Sequence, residues 1–380
     1  MRNWITIILL FLLLQGCSKP ILIDTFSNSD DDYFYYGNRL NRNFYYDLSI
    51  SDSLTLEFES DTKGGFSSVA FLATSGLYIA GDNAGQIYSF ADTSGKQKGI
   101  LKHKGEIAIT PIIIKSHLIY VVNEYKEKYA TIYFYNYITG QYANEQPVDG
   151  NFSNEAVLYN DEILFVTQNG VVLCFNSKGD LVWQKDTDLQ IFSDPVLYND
   201  LLIFSSVSGE IVFFNVTKKS IQKLLPLSNS FESSPLVYNS VLYIGDTFGE
   251  LFAVDLQSDE TLWSAQLNNK IMSEPVIDKN GNLFCNTLSG YVYKIDCKNG
   301  RIIWQQKAGS VFNTSPLVFN NLILQSDLNK RMIILNKSEG LLLRTLEYER
   351  RVQTAPMFHK GYIYLGIDRG TIFRYKAEIL

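Results

Sequence analysis

The side chains of this chain that could do chemistry are few and scattered. There are three histidines, His103, His117 and His359, and no H-x-H or H-E-x-x-H spacing brings two imidazoles onto one metal ion. His117 and His359 fall between the first and second strands of their repeats and read as surface turn residues. Beyond Cys17, the thiols are Cys174, Cys285 and Cys297, an odd set with no C-x-x-C. Cys285 should face a residue near Val292 across its hairpin, so free buried thiols are expected. No G-x-S-x-G elbow, P-loop or dinucleotide fingerprint stands in a strand–helix context. One constellation remains. Glu155, Asp194 and Glu274 each directly precede the start of a repeat, and Glu232 stands three before one. If repeats surround a central channel, these carboxylates crowd one mouth of it, where a ring of them could hold a cation. The alternative is that each is solvated or caps a local turn. No catalytic residue, cofactor site or metal site is expected.

The elements that must position those groups come from a repeat of about 40 residues. Pro111, Pro195, Pro235, Pro275, Pro316 and Pro356 open six copies, and Ala70 and Ala156 open two degenerate ones. The spacings are 41, 45, 39, 40, 40, 41 and 40 residues. The longest holds an extended hairpin with a charged tip around Glu124. Within a copy, short apolar runs alternate with turn residues, four runs per copy, and a proline is tolerated at the first position of a strand but not in its middle. Such a period marks an all-β, eight-bladed β-propeller of four-stranded antiparallel blades. The eighth copy, from Pro356 to Leu380, supplies three strands. Residues 54–58 precede the first copy as 261–265 precede Pro275, and so predict a ring closed by an N-terminal strand.

Composition narrows the partners. Net charge is −7, with no basic patch suited to nucleic acid. Residues 1–16 read as a signal peptide: Arg2, an apolar run over 4–14 too short to span a bilayer, then Leu14-Gln15-Gly16-Cys17. The run resembles a bacterial lipoprotein signal, which implies cleavage before Cys17 and its acylation, with a plain export signal or an uncleaved anchor as alternatives. Ser18 after the cysteine implies outer-membrane sorting in that scheme. Residues 17–52 carry no repeat and read as a lipidated tether whose aromatics, Tyr33 to Tyr36 and Phe44 to Tyr46, pack on the propeller wall or meet a partner or membrane. The propeller itself covers 53–380.

The repeat resembles the PQQ-like propeller motif: proline and an apolar strand, Tyr-x-Gly, Gly-x-Leu-x-Ala-x-Asp, then Gly-x-x-x-Trp, as in 234–263 and 296–304. Its glycines supply turns with positive φ, and its tryptophan is a wedge between blades, so the motif is structural and does not imply a quinone. Eight such copies behind a lipoprotein signal resemble the BamB family of outer-membrane β-barrel assembly factors. That resemblance implies a non-enzymatic lipoprotein at the periplasmic face of the outer membrane. It would bind the periplasmic domains of BamA and help deliver nascent outer-membrane proteins. It also implies partner contacts in the loops ahead of the fourth and fifth inner strands. Leu189 and Ile191 match two aliphatics of a Leu-x-Leu-Arg stretch there, with Phe192 in place of the arginine, and Glu232 matches one of two family acids. Other readings are a ligand- or polysaccharide-binding propeller and a quinoprotein dehydrogenase.

Overall fold

The computed structural model describes residues 19–23, 34–38, 42–66, 71–74, 76–125, 129–228 and 230–380. Eight sheets follow one another along the chain, seven of four strands and one of five. Blade five shows how sequence makes a blade. Pro235 stands just outside the inner strand Leu236–Tyr238, where its missing N–H costs no ladder bond. Asn239 and Ser240 both take positive φ (49° and 61°), the geometry of a two-residue hairpin turn whose twist matches its strands. The second and third strands, Val241–Gly245 and Glu250–Asp255, are buried through their centres, while the outer strand Thr261–Gln266 alternates between exposed and half-buried. Residue Gly249 (φ 86°) joins them, and a Cβ there would come 2.6 Å from the Asn269 carbonyl.

Neighbouring blades are wedged together by the repeat tryptophan. The Trp263 Nε1–H donates to the Cys297 carbonyl at 2.9 Å, and the indole lies against Gly300, where a Cβ would come within 2.6 Å of it. Trp304 repeats the arrangement one blade on, against Lys337 O and Gly340. The conserved spacing within the chain therefore has a steric cause: one blade's glycine seats the previous blade's indole.

The ring closes as expected. Thr55–Asp61 pairs antiparallel with Thr371–Lys376 and is the fourth strand of blade eight. Blade two carries the addition, Glu106–Ile107 beside His117–Asn123. The anchor Ala70 and the hairpin tip 126–128 lie outside the described residues. Cys285 pairs with Tyr293, one residue from the expected partner. All three described thiols are free, Cys174 and Cys285 buried and Cys297 half-buried.

Two readings are corrected. His117 and His359 are not surface turn residues: each stands at the end of a strand in the first hairpin of its blade, paired with Ile114 and Tyr362, and both are buried. The segment 17–52 is tied to the ring wherever it is described, and its described aromatics, Phe34 to Tyr36 and Phe44 to Tyr46, lie along the inner strands rather than on the outer wall, Tyr33 lying outside the described residues. Residues 19–23 dock outside: Lys19 O accepts from Ile100 N at 2.7 Å, Ile23 N donates to Tyr137 O at 3.2 Å, and Ile21 and Ile23 are buried between blades one and two. Farther on, Phe34 O accepts from Ile113 N on the inner strand of blade two. Asn43 exchanges two hydrogen bonds with Ile277 on the inner strand of blade six (2.8 and 2.9 Å), and Tyr45 forms a parallel bridge with Val318 of blade seven. Phe44 and Tyr45 belong to the core shared by blades six to eight. The described residues from Phe34 to Tyr45 thus run along the inner strands that line the axis.

Candidate functional site

In an antiparallel blade, the turns between strands one and two and between three and four lie on one face of the ring, here the hairpin face. The second-to-third turns and the crossovers into the next blade lie on the other, the crossover face. The residue just before each anchor therefore sits at the crossover mouth of the axis. These residues stitch blade to blade. Thr110 N–H donates to both Glu155 carboxylate oxygens (3.2 and 3.0 Å) and its hydroxyl donates at 2.7 Å. Glu155 N–H donates to Asp194 (2.7 Å), Asp194 N–H to Ser234 Oγ (2.9 Å), and Ser315 Oγ to Glu274 O (3.3 Å). Each of these six residues directly precedes its anchor, and in this interblade girdle Glu155 and Asp194 act through their carboxylates and Glu274 through its carbonyl.

The structure also brings Glu155, Asp194, Glu232 and Glu274 together around one cavity of about 500 Å³, which Tyr36 and Phe192 help to line. A cation is already there, and the chain supplies it. Arg42, 3% exposed, places Nη1 3.5 Å from Asp194 Oδ2 and donates from Nη2 to Glu155 O at 3.2 Å. Its guanidinium also lies over the Tyr36 ring at 5.7 Å. Burial, then the Asp194 charge, pushes Glu155 up to about 8, and the same two causes raise Glu274. One oxygen of Glu274 is buried without a hydrogen-bond partner. Among the described residues no cluster of three or more His, Cys, Asp or Glu could hold a metal ion. The cavity offers carboxylate acceptors to a donor or a cationic group.

At the hairpin face the same segment is fixed by charge. Lys279 Nζ meets Asp47 at 2.6 Å, and Lys337, paired with buried Asp278 at 2.8 Å, stands 5.4 Å over the Tyr45 ring. His103 lies elsewhere, boxed in by tyrosines: Nε2 is 2.8 Å from Tyr120 Oη and 3.3 Å from Tyr142 Oη. Burial lowers its pKa to about 4, so it is neutral at pH 7.

The three candidate contact residues divide. Glu232 is half-exposed at the cavity rim and paired with Lys270 at 2.8 Å. Leu189 is half-buried, and Ile191 is fully buried in the core between blades three and four. The side chains these loops present outward are Phe192, 44% exposed, and, in the second-to-third turn of blade five, Phe248, 61% exposed. Reading the sequence missed both. The available signal was Phe248 inside Asp-Thr-Phe-Gly, a turn with no core for an aromatic to enter. Cys17 lies outside the described residues.

Fold and site together define a PQQ-repeat β-propeller with its own N-terminal segment along the axis and an acidic crossover mouth. Comparison with known proteins agrees. The outer membrane protein assembly factor BamB signature matches residues 62–265 and 247–377, and the chain belongs to that family. BamB of Yersinia pestis is 24% identical over 254 residues, 63% of this chain. The match spans only 55% of that relative's length. Among solved structures, BamB from Moraxella catarrhalis superposes with a TM-score of 0.69 at 14% identity, covering 85% of this chain and all of that one. A quinohemoprotein alcohol dehydrogenase from Pseudomonas putida superposes at 0.76 with 11% identity, covering 94% of this chain and 82% of that one. These likenesses are of fold.

Proposed function

We propose that the protein is a non-catalytic, lipid-anchored scaffold of the outer-membrane β-barrel assembly complex. It binds the periplasmic domains of BamA and aids insertion of nascent outer-membrane proteins. Cys17 carries the anchor after removal of residues 1–16, and the ring stands at the periplasmic face of the outer membrane. The observation that supports the partner face is the pair Phe192 and Phe248, exposed on the crossover face of adjacent blades beside Glu232. Exposed aromatics ringed by polar groups are the usual anchors of a protein interface. Leu189 contributes at the margin, and Ile191 holds the loop from beneath. A scaffold is favoured over an oxidoreductase because the chain's own residues occupy the axis, with Arg42 among the carboxylates of its mouth.

The test is co-purification from detergent-solubilised membranes. BamA should be recovered with the wild type. Phe192→Ala/Phe248→Ala should weaken capture by about tenfold or more, as for interface anchors, with the thermal melt unchanged. Recovery free of every barrel-assembly component would overturn the partner assignment.

A further inference from the structure

The segment 19–23 fixes where the chain leaves the ring. It lies on the outer strand of blade one, Gln97–Lys102, and approaches so closely that a Cβ on Gly99 would come 2.8 Å from Pro20 O. Cys17 is two residues before Lys19, and two residues span at most about 7 Å. An acyl chain on Cys17 would therefore hold this rim of the propeller against the bilayer, with no slack for the ring to stand away.

The same rim differs in charge from its neighbours. Residues 86–105 hold four lysines and one carboxylate, Asp92, in a chain of net charge −7. Lys19, Lys96, Lys98 and Lys102 are exposed, and none is ion-paired among the described residues. The outer strands on either side are acidic instead: Glu57, Glu59 and Asp61 on blade eight, Glu145 and Asp149 on blade two. Beside the lysines two aliphatic side chains face solvent. Leu22, 49% exposed, rests against Gly140, and Ile138, 53% exposed, belongs to the same turn. Lysines around a small apolar patch suit a headgroup region, where phosphates pair with ammonium groups and aliphatic tips enter the acyl boundary.

We infer that the rim where blades one and two meet is a docking surface for anionic phospholipid. It holds the propeller edge-on to the membrane. The inference rests on the anchor reading above, and its test separates the two.

The mature lipoprotein is reconstituted in phosphatidylcholine vesicles with and without phosphatidylglycerol, and lysine acetylation rates are read by mass spectrometry. Lys98 and Lys102 should react about fivefold more slowly on the anionic vesicles, the effect expected near a charged surface, and high salt should restore the rate. Exposed Lys218 and Lys219 on blade four should not change. Equal rates at Lys98 and Lys102 on both vesicles, or equal slowing at Lys218 and Lys219, overturns the surface. Intact mass reports acylation of Cys17 independently. If acyl chains are absent, the anchor reading falls, and the surface is read by co-sedimentation of the protein with phosphatidylglycerol vesicles. Lys96→Gln/Lys98→Gln/Lys102→Gln should then abolish co-sedimentation, and retention would overturn the surface.

Discussion

The wall of the ring and its axis are held by different means. The wall is repetitive and apolar. Phe204, Ile244 and Phe284 occupy the second strands of consecutive blades four to six, and all are fully buried. At the axis the N-terminal segment adds single-copy polar contacts: Arg42 among carboxylates and Asn43 on the Ile277 backbone. A fault in the wall removes transfer and packing energy, which does not depend on pH. A fault in the axis strands a buried charge, and its cost follows the protonation of its partners.

The comparison can be broken at three places. Phe204→Ala should cost the most, about 3–5 kcal/mol for a large side chain deleted from a packed core. Urea unfolding should give the same loss at pH 5 and pH 8, and a strong pH dependence would refute the view of the wall as apolar packing. Arg42→Ala should cost about 3 kcal/mol at pH 8, because it leaves Asp194 and its neighbours without their cation. The loss should shrink toward acid pH as Glu155 and Glu274, both raised by burial, take up protons, and a pH-independent loss would place Arg42 with the wall. Glu155→Gln should have the smallest effect, a change of slope. The folded-state pKa of Glu155 is raised by burial, so the native protein holds a proton that the unfolded chain releases. That contribution is full below the unfolded value near 4.5 and is lost as pH rises toward about 8. The variant should flatten the decline in melting temperature across that window, and an unaltered slope would show Glu155 ionised throughout.

How much was legible follows the same division. Blade number, strand order and the borrowed outer strand were readable because each is written several times over. The prolines at 195, 235, 275, 316 and 356 each stand one residue ahead of an inner strand. The axial segment was not readable, since it occurs once and has no period. Its aromatic density at 34–36 and 44–46 signalled burial without saying where. The carboxylates were found as a set, but sequence could not show that Arg42, some 110 to 230 residues earlier, would be their counter-ion. Ile191 was misleading for a general reason. Loop position suggests exposure, yet this crossover dips into the space between blades three and four, and its outward residue is the neighbour, Phe192.

The occupied axis also constrains the order of assembly. The backbone N–H of Ile50 is bonded to Asn321, 271 residues later, and Thr55–Asp61 waits for the last strand of blade eight. Such separations are slow to close. Residues 19–23 and Phe34 can seat as soon as blades one and two exist, but Asn43, Tyr45, Ile50 and Thr55–Asp61 find their partners only when blades six to eight have been made. For this molecule the stretch from Asn43 to Asp61, early in the chain, is among the last to be seated, and its seating marks the finished ring.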